Sequence, residues 1–154
     1  MANYNEFVNF ILPKGSETNK SLKHNFFPIS KTDIIEAESK LDFLFPDELD
    51  EFYMKIGYGF MNCQVENSQN LLFSPDQIAA INNREDFYEF DPDLEIYDDT
   101  DKFIFFRLNE GVYLTMNKNK KEGKFNIFYF DKIIADSLEE FLKKFDVDSN
   151  YFES

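Results

Sequence analysis

Tryptophan is absent from this 154-residue chain, cysteine and histidine occur once each, and glycine and proline occur five times each. Each scarcity removes a class of explanation. A lone Cys63 closes no internal disulfide, so the fold is not stapled by cystines and a reducing compartment is expected. One Cys and one His cannot supply the three or four nitrogen and sulfur ligands that zinc prefers. Cys–His or Ser–His catalysis needs a base within reach of the nucleophile, and His24 is the only candidate. It lies in a polar stretch between Lys23 and Asn25 with no motif around it, so a surface histidine is expected. Cys63, without an adjacent base, is expected to be a small buried hydrophobe in a strand. So little Gly and Pro excludes collagenous and linker-like chains. No apolar run approaches the ~18 residues of a membrane span, and the opening MANYNEFVNFILPKG lacks the basic start of a secretory leader. A cytosolic location is the expectation.

What is abundant is acid and phenylalanine. Thirty Asp and Glu against sixteen Lys and Arg leave a net charge of −14. Such a surface repels phosphate and anionic headgroups, so neither nucleic acid nor membrane is the expected partner, and a basic protein is favoured. Net charge also serves solubility alone, and the sequence leaves that alternative open. Hydrophobic residues make up 43% of the chain, 20 of them Phe, enough for one domain spanning 1–154 with a phenylalanine-rich core.

Tyr4, Phe7, Val8 and Ile11 have helical spacing, stopped by Pro13 and Gly15. Residues 14–29 are polar apart from Phe26, Phe27 and Ile29 and read as a loop with an aromatic anchor. Ser30 with Asp33 is a capping signal for a helix bearing Ile34, Ala37 and Leu41. Beyond Pro46, Leu49, Phe52, Tyr53 and Ile56 line a second face, with Gly57 as its C-terminal glycine. FMNCQV after Gly59 suggests a strand, and Ser74, Pro75 and Gln77 announce another helix. KFIFFRL, GVYLTM and FNIFYF read as an antiparallel meander, with Asn109-Glu110-Gly111 and a Lys-rich tip between them. Val112, Leu114 and Met116 alternate with Tyr113 and Thr115, which predicts a half-buried middle strand. Ser137 with Glu140 caps a last helix carrying Leu138, Phe141, Leu142 and Phe145. The class expected is α+β, an antiparallel sheet packed against helices.

Residues 85–101, EDFYEFDPDLEIYDDTD, hold nine acids and no base and read as a loop. An EF-hand would need Gly and Glu where Ile96 and Lys102 stand, so a calcium loop fails and no metal or cofactor is expected. Gly57-Tyr58-Gly59 ends a helix instead of opening one and is not a phosphate loop. Lys118, Lys120, Lys121 and Lys124 read as a solvated hairpin tip.

The stretch IIEAESKLDFLFPDELDEFYMKIGYG, residues 34–59, resembles the N-terminal signature of the SUKH superfamily, the Smi/Knr-type proteins. It has a helix with Glu38 and Leu41, a Phe45-Pro46 break, a helix with Leu49, Phe52 and Tyr53, and Gly57-x-Gly59. Ile134-Ala135-Asp136-Ser137-Leu138-Glu139-Glu140-Phe141-Leu142 is similar to the family's closing helix motif. The resemblance covers about 30–145. Phe45 for Leu, Ile56 for Asn and Leu138 for Phe depart from the family pattern, and the acidic segment is an elaboration of it. The resemblance implies a non-catalytic cytosolic immunity protein, an antitoxin that binds a cognate toxin, often a nuclease. It also allows a regulatory scaffold for a host protein, since the family includes such members. For a toxin with a basic surface, Phe90, Asp91, Asp93, Glu95, Tyr97, Asp98, Asp99 and Asp101 are the expected contact residues, the two aromatics as anchors and the acids as steering charges. A solvated acidic loop without a partner is the alternative.

Overall fold

The computed structural model describes residues 2–65, 69–85, 88–108 and 112–153. Seven strands form one antiparallel sheet whose spatial order is the order of the chain. They are β1 (Asn25–Phe27), β2 (Tyr58–Met61), β3 (Asn70–Leu72), β4 (Lys102–Arg107), β5 (Tyr113–Asn117), β6 (Ile127–Tyr129) and β7 (Lys132–Ala135). The α-helices among the described residues are α1 (Lys31–Glu38), α2 (Asp47–Lys55), α3 (Pro75–Asn82) and α4 (Leu138–Val147). The α+β expectation is met.

α1, α3 and α4 begin where side-chain oxygens can take their orphan amide protons, whereas α2 starts after Pro46 with no side-chain cap. Ser30 with Asp33 and Ser74 with Gln77 form reciprocal capping boxes, and Ser137 accepts from the Glu140 N–H. Glu48 adds a long-range cap, its carboxylate accepting the Leu138 N–H at 3.1 Å and joining α2 to the start of α4. Glu38 accepts the Phe45 N–H at 2.8 Å and fixes the chain before Pro46. The signature glutamate and the Phe-Pro break are thus one structural device.

Registered partners in neighbouring strands share a face of the sheet. Phe26, Gly59, Leu72, Phe106 and Leu114 form one such row. The rings of Phe52 from α2 and of Phe141 and Phe145 from α4 lie 5.2–5.6 Å from Phe26 and Phe106, mostly edge to face. Phe26, Phe52, Phe105, Phe106, Phe141 and Phe145 are all fully buried. A β-bulge between Ile104 and Phe106 turns Phe105 towards Phe141 as well, so adjacent residues of β4 feed one core. Leu49, Ile56, Ile127 and Leu142 are buried in the same cluster, with Leu41 packed against it.

Several local expectations change. The first helix is a 3-10 helix, Asn5–Phe10, with Tyr4 and Phe7 buried and Val8 exposed. The stretch read as a loop contains β1, because Asn25–Phe27 pair with β2. Cys63 lies beyond the end of β2 and is half-buried. β5 is buried along its whole length, so the sheet is covered there on both faces. His24 is completely buried, against the expectation of a surface residue. The Asn62 N–H donates to its Nδ1 at 3.0 Å, so the ring proton sits on Nε2 and is shared with Asp146 Oδ1 at 2.5 Å. Phe7, Phe10 and Phe26 surround the ring, and Asp146 also pairs with Lys23 at 2.9 Å. Burial lowers the His24 pKa, and Asp146 opposes it. The Asn109-Glu110-Gly111 turn and Phe87 lie outside the described residues.

Candidate partner-binding surface

The other face of the sheet carries the row Phe60, Leu71, Arg107 and Tyr113. Its β4–β5 half is covered by the acidic segment. The described part of that segment, from Tyr88 on, holds a short 3-10 helix where a loop was expected. Asp91 caps a 3-10 helix, Pro92–Tyr97, by accepting the Asp93 N–H, and Pro92 occupies the first turn. Leu94 and Tyr97 stand three residues apart, which in a 3-10 helix is one face. Leu94 is buried, and the half-buried Tyr97 accepts the Tyr113 N–H on its hydroxyl at 3.0 Å, with its ring 5.5 Å from that of Tyr113.

Arg84 holds the segment from the end of α3. Its guanidinium donates to the Ile81 carbonyl at 2.7 Å, the Leu94 carbonyl at 3.1 Å and Asp98 Oδ1 at 2.8 Å. Three acceptors from two elements suit a planar fork of donors and would not suit a lysine. At the far end, Asp99 accepts the Asp101 N–H and lies 3.7 Å from Lys102, and the Asp101 carbonyl accepts the Lys118 N–H. Asp42 pairs with Lys118 at 3.4 Å. Lys118 of the Lys-rich tip is therefore largely covered, while Lys124 pairs with Asp136 at 3.3 Å.

Of the predicted site residues, the structure turns outward Phe90, Asp93, Glu95, Asp98, Asp99 and Asp101, with Asp91 and Tyr97 half-buried beneath them. Phe90 is 87% exposed. Ile96, which the sequence reading passed over, is 70% exposed on the same knuckle. Its signal was available: in a 3-10 turn whose Leu94 and Tyr97 face inward, the residue between them faces out. The arrangement holds two large apolar side chains in a ring of carboxylates, on a backbone fixed from below. Among the described residues no group of three or more His, Cys, Asp or Glu could hold a metal ion, and no helix is long and apolar enough to cross a membrane.

Two comparisons relate the chain to known proteins. The model of the SMI1/KNR4 family (SUKH-1) matches residues 28–144. A Bacillus subtilis (strain 168) protein named immunity protein YxxD is 38% identical over 136 residues, which span 86% of this chain and 91% of that protein. No solved structure matches the chain significantly.

Proposed function

The chain belongs to the SMI1/KNR4 family (SUKH-1), and from that premise we propose that it is an immunity protein that neutralises a cognate toxin by binding it. The similarity to a protein named as an immunity protein, along nearly the whole of both chains, supports that role. The partner is a toxin with a basic surface, such as a nuclease, met in the cytoplasm and inhibited by occupancy of its functional groove, with no chemistry contributed by this chain. The observation that carries the reading is the pinned acidic knuckle, which presents Phe90 and Ile96 within a field of like charge. Exposed carboxylates raise the encounter rate with a basic partner, and the apolar pair sets how long the complex lasts. Fixing the backbone in advance lowers the ordering entropy lost on binding.

Stopped-flow association with the product of the adjacent toxin gene is the test. Glu89, Asp93 and Glu95 are exposed and leave the Arg84 and Tyr97 contacts untouched. The variant Glu89→Gln/Asp93→Asn/Glu95→Gln is expected to associate more slowly and with a flatter salt dependence, since exposed charges act over about a Debye length, about 8 Å in physiological salt. Phe90→Ala is expected to raise the dissociation rate instead, by a factor corresponding to about 2 kcal/mol if the ring fills a desolvated pocket. An unchanged low-salt on-rate in the triple variant would remove the acidic segment as the recognition surface.

A further inference from the structure

The acidic segment covers only half of its face of the sheet. Beside it, over β1 to β3, the sheet stays open as a groove of about 600 Å³. Its floor is Phe27, Tyr58, Phe60 and Leu71, and its walls are the loop around Ser16 and Thr18 and the first turns of α1 and α3. The floor is built by an unusually close approach of two strands. A Cβ on Gly57 would sit 2.0 Å from the Phe27 carbonyl oxygen, and one on Gly59 would sit 1.9 Å from that of Asn25. Both glycines have positive φ, and this lets β2 lie against β1 with Tyr58 and Phe60 turned away from α2 and α4. The Phe27 and Tyr58 rings pack at 5.6 Å, and both remain half-exposed. Concave, partly apolar surface with a few polar groups at its rim is the shape that receives a side chain of a binding partner.

We infer that this groove receives an apolar side chain of the same basic partner that the acidic segment attracts, so that the interface runs continuously from the knuckle across the sheet to β1. The inference rests on the proposed immunity role. Two observations select that occupant. The registered row Phe60, Leu71, Arg107, Tyr113 leads from the groove floor directly under the knuckle, where Tyr97 takes the Tyr113 N–H, so one partner seated on the knuckle lies beside the groove. The groove's charged lining is Asp33 and Asp76 against Lys14, an acidic balance that continues the sign of the knuckle. A second copy of this −14 chain would meet like charge at both places. The groove supplies a second long-lived anchor beside Phe90 and Ile96, and the knuckle's carboxylates supply the approach.

The experiment uses the full chain and the catalytically inactivated product of the adjacent toxin gene. Tyr58→Ser shortens the floor, and Thr18→Trp, on an exposed loop position, fills the mouth without touching the core. Both variants are checked for unchanged circular dichroism and melting temperature. Each is expected to raise the dissociation rate about tenfold or more and to leave the association rate within about twofold. Dissociation unchanged in Thr18→Trp overturns the groove assignment even if the triple acidic variant still slows association, which leaves the proposed role standing. If the acidic variant has no effect while the groove variants dissociate faster, the steering role fails and the groove does not. A concentration-dependent dimer of the wild-type chain by sedimentation equilibrium, dispersed by Thr18→Trp, assigns the groove to a second copy and also overturns the inference.

Discussion

The two faces of the sheet are held by different physics. Towards α2 and α4, apolar rings interlock and exclude water, and His24 among them is held by Asn62 and Asp146. On the opposite face, the cover is one short turn fixed by hydrogen bonds from Arg84 and Tyr113, with its carboxylates outward. The difference teaches where substitution is felt. The first face stores stability, because removing a buried side chain loses transfer energy and leaves a cavity. The second carries the proposed recognition surface, and its charges face water and add little to folding.

The sharpest way to break the comparison is to truncate the closed face. Phe52→Ala and Phe141→Ala are each expected to destabilise by about 3–5 kcal/mol in urea denaturation, with a single transition retained. Two transitions, or near-neutral changes at both sites, would end the account of one shared core.

A smaller effect of opposite sign is expected on α2. Asp50 Oδ1 is buried without a hydrogen-bond partner, and burial, with Glu38 beside it, raises the Asp50 pKa to about 6. The native state therefore holds this proton more tightly than the unfolded chain. Stability falls as pH rises from the ordinary value near 4 to about 6. Asp50→Asn is expected to stabilise by about 1–3 kcal/mol at pH 8 and by nothing measurable below pH 4, read from melting curves across that range.

His24 contributes the reverse slope. Burial holds its folded pKa below the ordinary imidazole value of 6.5, so the unfolded chain binds the proton more readily. This part of the stability is complete above the unfolded pKa and declines as pH falls through 6.5 towards the lower folded value. Because the chain has no other histidine, its ring resonances in an NMR titration give the folded pKa directly. A value above 6.5, or an Nδ1–H tautomer, would contradict the acceptor role at Asn62.

The smallest stability effect belongs to the recognition face. Phe90→Ala and the triple acidic variant are expected to change stability by no more than about 0.5 kcal/mol. A loss of several times that would mean that the knuckle is part of the core and not a cover.

What the sequence revealed follows the range of each signal. The capping pairs at Ser30, Ser74 and Ser137 and the ring periodicity of α2 and α4 are local, and all were legible. β1 was not, since three residues carry too little alternation, and its strand character comes from the glycines of β2 some thirty residues later. The burial of His24 depends on Phe10 on one side and Asp146 on the other, so no window around residue 24 contains the reason. The acidic segment lies between these cases. Its composition masked an Asp-Pro start and a Leu94/Tyr97 spacing that spell a 3-10 turn, and charge density was read as absence of structure. The exposure of Phe90 and most of the carboxylates follows from the sequence, whereas the groove does not, because its floor joins Phe27 to Tyr58 and Leu71 through strand pairing alone.

The two strands that flank the knuckle's excursion, β3 and β4, are already neighbours, and its stem is closed independently of its tip. The Asn82 side chain donates to the Ile104 carbonyl and accepts the Ile104 N–H, at 2.8 and 2.9 Å, tying the end of α3 to β4. Beyond that clasp the chain returns to the core at Leu94 and Tyr97, while Phe90, Ile96 and most of the carboxylates around them face solvent. Doubling such a loop costs only about 0.6 kcal/mol in closure entropy. On the proposed role, the excursion is a cartridge whose charge and tip can be rewritten for a new partner while Leu94 and Tyr97 keep its seat on the sheet. A graft of a relative's excursion between Asn82 and Ile104 is the engineering counterpart of that freedom.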